Sequence, residues 1–255
     1  MSGPHPYFEN DGRVIALAHR GFNLDGLENS MLAFQAAVDL GFRYVETDAH
    51  GTSDGVAVAL HDASLDRTTD GRGNVKDLSW SQVRAARIGG IEFVPTLEEL
   101  LGTFPELNVN VDVKGSSGIG PIADAIERTK AHDRVCVASF SAARRNATVA
   151  RLTRPVATSA GTTEAASYFA RGAVGIGVTR PLRKVDALQI PWKQGSMRVL
   201  TERHVRAAHV ANTLVHVWTI NERADMERLL DMGVDGLVSD RADVLKLVLQ
   251  ERGQW

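Results

Sequence analysis

The feature that most constrains this chain is a repeating alternation. Short runs rich in β-branched and aliphatic residues occur at 14–18, 43–48, 108–114, 134–138, 155–159, 187–190, 214–219 and 236–239. Amphipathic stretches at 31–40, 96–101, 122–131, 142–152, 202–211, 223–232 and 242–249 lie between and after them. A strand followed by a helix, repeated from end to end, is the pattern of a parallel α/β fold, because parallel neighbours need a crossover connection. Eight strands in that rhythm are the count for a closed TIM (β/α)8 barrel, and 255 residues fill one such barrel. The expected architecture is therefore a single barrel domain over residues 1–255. End signals agree with it: Asn29 or Ser30, Ser141 and Asn221 precede helical stretches, and Gly41 and Gly233 follow them.

Two stretches break the rhythm. Residues 51–93 are too long for a βα loop. They carry a hairpin arm at 55–60, a Gly71-Arg72-Gly73-Asn74 turn and a short helical signal at 79–86, and are expected to form a small insertion after strand two, on the catalytic face. Residues 160–186 carry a helical pattern that is patchy around 172–177.

Composition narrows the partners. Lys plus Arg number 29 against 31 for Asp plus Glu, a net charge of −2, so there is no basic surplus for a nucleic-acid backbone and no nucleic acid is expected as a partner. Any anionic ligand must be met by a local site. The arginines at 144–145 and across 198–206 read as solvated helix faces. The single cysteine, Cys136, lies between Val135 and Val137 and reads as a small buried hydrophobe. Residues 1–13 have no apolar core of a signal peptide, and no run approaches the ~18 apolar residues of a membrane span. A cytoplasmic protein without a membrane span is the expectation, and the oligomeric state is left open.

In a parallel barrel, reactive groups come from the C-terminal ends of the strands and the loops after them. Here strand one ends on His19-Arg20-Gly21, strand two on Glu46-Thr47-Asp48, the following hairpin on His61-Asp62, and strand three on Asp112-Val113-Lys114. Residues two apart in a strand share a face, with Cα atoms about 6.5–7 Å apart. Glu46 with Asp48, and Asp112 with Lys114, are thus expected to point to one mouth. Carboxylates without cysteine partners suit a hard divalent cation, Mg²⁺ or Ca²⁺, better than zinc. Arg20 offers a bidentate fork and Lys114 a point charge for a phosphate. His19 and His61 can serve as general acid and base. Together these groups point to phosphoryl transfer.

The same residues resemble the glycerophosphodiester phosphodiesterase family. The resemblance rests on Ala18-His19-Arg20-Gly21, Glu28-Asn29-Ser30, Val45-Glu46-Thr47-Asp48, His61-Asp62 and Leu65-Asp66-Arg67-Thr68-Thr69. It continues through Gly71-x-Gly73, Val94-Pro95-Thr96-Leu97-Glu98-Glu99 and Val111-Asp112-Val113-Lys114, and ends with Val217-Trp218-Thr219-Ile220-Asn221 and Gly233-Val234-Asp235-Gly236-Leu237-Val238-Ser239-Asp240. It implies a TIM-type barrel that hydrolyses glycerophosphodiesters to sn-glycerol 3-phosphate and an alcohol with a divalent cation. By motif position, His19 and His61 match the acid and base pair, Arg20 and Lys114 the phosphate contacts, and Glu46 and Asp48 two metal ligands. The third ligand is commonly glutamate, where this chain has Asp112; the side chain is one methylene shorter, so a bridging water is an alternative to direct coordination. Gln189 and Trp218 resemble the family's pocket-lining residues. The nucleophile is either water or the substrate's own 2-hydroxyl.

Other polar residues read more plainly. Asn29 and Ser30 are expected to cap a helix, Asp240 to cap the last one, and Asp62 either to orient His61 or to cap a turn. His5, His50, His132, His204, His209 and His216 read as surface or packing residues, with His50 notable for standing two residues beyond Asp48. Two rival functions remain: a barrel phospholipase of C or D type acting by internal transfer, and a barrel that binds a phosphorylated ligand without turnover.

Overall fold

The computed structural model describes residues 5–174, 177–194 and 197–255. Residues 1–4 of the leader reading, and residues 175–176 of the patchy helical stretch, lie outside the described residues.

Among the described residues, eight strands run parallel: β1 (Ile15–His19), β2 (Tyr44–Gly51), β3 (Asn108–Val113), β4 (Val135–Ala138), β5 (Ala157–Thr158), β6 (Ala187–Pro191), β7 (Leu214–Trp218) and β8 (Gly236–Ser239). β1 to β5 pair in sequence order, β6 pairs β7, β7 pairs β8, and β1 pairs β8. Between β5 and β6 the ladder shrinks to one bridge, Ser159 with Ala187. Asp186 reinforces that seam: its backbone N–H donates to the Thr158 carbonyl at 3.0 Å, and its Oδ2 accepts from the Thr158 N–H at 2.8 Å. The barrel is thereby nearly closed, as the strand count predicts.

The helices between and after the parallel strands are α1 (Met31–Asp39), α2 (Leu97–Thr103), α3 (Ile119–Thr129), α4 (Ala142–Val149), α5 (Thr162–Val174), α6 (Glu202–Val210), α7 (Arg223–Asp231) and α8 (Ala242–Glu251), and a shorter one, Trp80–Ala85, lies within the stretch 51–93. Ser30 and Ser141 cap α1 and α4, each hydroxyl accepting from the N–H three residues on. The expected cap at Asn221 is not one: Glu222 holds the cap position of α7 without a side-chain bond, and Asn221 is engaged elsewhere. The arginine pair also departs from expectation. Arg145 is buried, clamps Glu164 at 2.7 and 2.9 Å, and donates to the Ser159 carbonyl at 2.6 Å, so it ties α4 to the start of α5.

The strand period of two divides the core. Ala16, Ala18, Val45, Val109 and Val111 pack outward against the helices. Ile15, Leu17, Tyr44, Cys136, Ala157, Ala187 and Val238 form a second cluster, on the barrel's interior side. Residues Pro6–Phe8 form a 3₁₀ turn that adds Tyr7 and Phe8 to this cluster, and the Tyr7 carbonyl accepts from the Tyr44 hydroxyl at 2.8 Å. The interior is thus apolar toward the strand starts. Its next positions along the strands are Glu46, Asp48 and Asp112, so polarity rises toward the C-terminal mouth.

The stretch 51–93 begins as an antiparallel return, Ala57–Ala59 pairing with the end of β2. It packs Val58, Leu60, Leu65, Val75, Val83, Ala86, Ile88 and Val94 into a small core of its own. The return has a consequence at the mouth: the Leu60 N–H donates to the Asp48 carbonyl at 3.0 Å, which delivers His61 beside β2.

Candidate active site

His19, Arg20, Glu46, Asp48, His61, Asp112, Lys114, Gln189 and Trp218, the residues singled out in the sequence, all line one cavity. Register explains the grouping. His19 lies opposite Glu46 across β1 and β2, and Asp48 opposite Asp112 across β2 and β3, so the two pairs stand at successive inward positions along β2.

The turn after β1 sets the first of them. Arg20 has φ of 56° and Gly21 of 81°; a Cβ on Gly21 would stand 2.6 Å from the Ala33 backbone, so only glycine lets the chain fold back against α1. This turn aims the Arg20 N–H at Glu46 Oε2 (3.3 Å), while the guanidinium lies 2.9 Å from Glu28 Oε1 and 3.0 Å from Asp48 Oδ2.

Both histidines are held by a carboxylate. His19 Nδ1 lies 2.6 Å from Asp240 Oδ1, and His61 Nδ1 lies 2.7 Å from Asp62 Oδ1. Burial opposes ionisation of Asp240, but hydrogen bonds from His19 and Asn221 keep its pKa below the ordinary carboxylate range. The Arg67 guanidinium, with His61, holds Asp62 lower still. An ionised carboxylate only accepts, so each Nδ1 carries the proton and donates it, and each Nε2 is left for chemistry. Burial would depress the pKa of His19; the Asp240 bond and the nearby Glu46 outweigh it and raise the value.

Asp240 is therefore not the helix cap expected of it. Arg241 holds that position, without a side-chain bond, and Asp240 fixes a histidine. Asn221 completes the relay, donating to Asp240 Oδ2 at 2.8 Å and accepting from the Asp240 N–H at 3.0 Å. Asn29, also expected as a cap, instead donates to Asp48 Oδ2 at 3.2 Å and accepts from Thr47 Oγ1 at 2.8 Å. Of the two roles open to Asp62, the structure shows the orienting one. Arg67 braces it, with Nε 2.6 Å from Asp62 Oδ2 and Nη2 2.7 Å from Glu28 Oε1. His50 is buried, with Nε2 3.1 Å from the His61 carbonyl, which steadies the backbone there. Burial lowers its pKa. Asp240 and Asn221 carry a usable signal: both follow the C-terminal ends of barrel strands, β8 and β7.

Glu46, Asp48 and Asp112 are all buried. Lys114 Nζ stands 2.8 Å from both Asp48 Oδ1 and Asp112 Oδ2, and burial of Asp48 is more than offset by Lys114 and Arg20, which lower its pKa. The others are less well compensated. Burial, with the Asp48 charge beside it, pushes Glu46 up to about 8, and burial raises Asp112. Asp112 Oδ1 is buried with no hydrogen-bond partner among the described residues. An orphaned carboxylate oxygen beside a carboxyl that burial drives toward neutrality is a donor set short of one positive charge, and its all-oxygen chemistry fits a hard cation. Among the described residues no three such groups converge as a finished ligand shell; the Lys114 ammonium holds Asp48 and Asp112 instead.

Gln189 donates to Asn110 Oδ1 at 2.9 Å, which fixes its amide in the cavity wall. Trp218 lies edge-on to Phe140, with ring centroids 5.8 Å apart.

Known proteins resemble both the sequence and the fold. A relative from Mycobacterium tuberculosis, named probable glycerophosphodiester phosphodiesterase 2, is 45% identical over 99% of this chain and 97% of its own length. A glycerophosphodiester phosphodiesterase from Caldanaerobacter subterraneus is 26% identical over 94% of this chain and all of its own length. Among solved structures, a phosphodiesterase from Oleispira antarctica in complex with the product sn-glycerol-3-phosphate superposes with a TM-score of 0.78 at 20% identity, covering 94% of this chain and 98% of that one. A glycerophosphoryl diester phosphodiesterase described as putative, from Silicibacter pomeroyi, gives 0.81 at 20% identity over 98% of each chain. The family model described as "Glycerophosphoryl diester phosphodiesterase family" matches residues 19–244, from the first site histidine to beyond its Asp240 partner, and the chain belongs to that family.

Proposed function

We propose that this protein hydrolyses glycerophosphodiesters to sn-glycerol 3-phosphate and an alcohol. The observation that carries the reading is the pairing of two histidines, each with its Nδ1 on a carboxylate, across a cavity that also holds Arg20, Lys114 and three buried carboxylates. The product seen with the Oleispira antarctica protein is in keeping with it.

Arg20 and Lys114 bind the non-bridging oxygens of the phosphodiester, the one as a fork and the other as a point charge. Glu46, Asp48 and Asp112 would hold a divalent cation, which when bound supplies further positive charge against the phosphate. One histidine removes the nucleophile's proton at Nε2, and the other delivers a proton from Nε2 to the leaving alkoxide. Asp240 and Asp62 keep each ring in the tautomer that makes this possible. Most of the rate gain is electrostatic, as is usual for phosphoryl transfer. Among the described residues no helix is long and apolar enough to cross a membrane, and the substrate is a small molecule.

The test is release of glycerol 3-phosphate from glycerophosphocholine, titrated with Mg²⁺ and Ca²⁺ and controlled with EDTA. His19→Ala and His61→Ala should each lower kcat by about 10²–10⁴-fold with an unchanged melting curve. Near-normal turnover in both variants, or a cyclic phosphate as the end product, refutes the reading.

A further inference from the structure

We propose that the site is built for a glycerophosphodiester bearing one hydrocarbon chain, and that the chain lies in an apolar extension of the catalytic cavity. The inference rests on the phosphodiesterase reading above and adds the substrate class. The cavity measures about 1090 Å³, slightly above the roughly 300–1,000 Å³ usual for sites that enclose drug-sized ligands. His19, Arg20, Glu46, Asp48, His61 and Lys114 line part of it, and Arg198 and Arg203 line it as well. Much of the remaining wall is apolar: Phe140, Trp218, Ile190, Val199, Ala165 and Phe169.

Phe140 is 54% exposed, a large aromatic left at the mouth and steadied edge-on by Trp218. Lys114 Nζ lies 5.5 Å from the Phe140 ring centroid, so the apolar wall begins where the phosphate is held. α5 also lines the cavity with Ala165 and Ala166, side chains too small to fill it. An apolar wall continuous with a phosphate site is satisfied by a ligand with a charged diester at one end and methylene groups beyond it. The chemistry is unchanged: a P–O bond forms to water's oxygen, the P–O bond to the alcohol breaks, and the proton lost from water ends on the alcohol. Each methylene moved from water into the extension should raise affinity about fourfold.

The test compares kcat/KM for glycerophosphocholine, 1-octanoyl-glycerophosphocholine, glycerophospho-octanol and glycerophosphoserine below their micellar concentrations. At least one octyl substrate should exceed glycerophosphocholine tenfold or more. The product tells which side carries the chain: 1-octanoyl-glycerol 3-phosphate if the glycerol does, free octanol if the leaving alcohol does. Ala166→Trp, and independently Thr162→Trp, should abolish the advantage while leaving glycerophosphocholine turnover within twofold; both positions are exposed on α5 and line the extension. Hydrolysis of glycerophosphocholine with no gain from either chain overturns the inference and leaves the phosphodiesterase reading standing. A preference for glycerophosphoserine, met by the exposed Arg198 and Arg203 that also line the cavity, overturns it too, as does a chain advantage that survives both variants. Failure to cleave any of the four overturns both readings.

Discussion

At the scale of single residues, the site is organised by partners more than by the reactive groups themselves. His19 leaves its Nε2 toward the cavity because Asp240 accepts a hydrogen bond from its Nδ1, and Asp240 is placed because Asn221 holds its other oxygen and its backbone N–H. An amide at position 240 keeps the shape but can present its NH₂ to the ring and loses the negative charge. Asp240→Asn should therefore lower kcat by about 10²-fold or more, with KM nearly unchanged, because proton transfer is affected and ground-state binding is not. Steady-state kinetics beside a melting curve check this, and a loss confined to KM would contradict it. That the strand ends carrying His-Arg-Gly, Glu-x-Asp and Asp-x-Lys meet in one cavity was legible in the sequence. Of their partners, only Asp62 was, as one of two alternatives. Asn29 and Asp240 sit beside helix starts, where short polar residues ordinarily cap, and only the tertiary fold shows that their side chains turn into the mouth.

At the scale of elements, all eight strands lie within a few residues of where the β-branched runs placed them, because buried parallel strands leave continuous apolar runs. The hairpin arm and the short helix of 51–93 were readable too, from turn residues and a local period. The link between α4 and α5 was not. An Arg-Arg pair on an amphipathic helix reads as surface, and its partner Glu164 is nineteen residues away in another element. Yet Arg145 is 2% exposed and makes a bidentate contact with Glu164 beside its bond to the Ser159 carbonyl. Arg145→Met leaves Glu164 without its cation and Ser159 without a donor. Breaking such a pair from one side should cost about 3 kcal/mol, measured by urea denaturation at neutral pH. The clamp lies behind the cavity wall formed by α5, so turnover of glycerophosphocholine at low temperature should be retained; a loss below 1 kcal/mol would show that the pair is solvated in practice.

At the scale of the whole molecule, a chain of net charge −2 concentrates its anion-binding groups at one end of a barrel whose other end is apolar. His216 marks the boundary between the two. Its ring is fully buried on β7, meets the edge of Phe8 with centroids 6.0 Å apart, and would be struck at 2.8 Å by a Cβ on Gly236, so it has no room to move toward water. Nδ1 lies 3.4 Å from the Gln189 amide, and Nε2 has no hydrogen-bond partner among the described residues. Burial pushes the His216 pKa down to about 4, whereas in the unfolded chain it titrates near 6.5. Between those values the unfolded state binds a proton that the folded state does not, so stability falls as the pH falls, by about 1.4 kcal/mol per pH unit. Going from pH 7 to pH 5, this one residue should remove about 2 kcal/mol. The carboxylates of the mouth titrate over part of the same range, so the experiment is a difference: wild type against His216→Leu, each unfolded in urea at pH 7 and pH 5. The variant lacks the titrating ring and keeps every site carboxylate, so the wild type should lose about 2 kcal/mol more than the variant on acidification. Equal losses in the two proteins would mean that the buried imidazole is protonated in the folded state, and that the dry, apolar base of the barrel admits water.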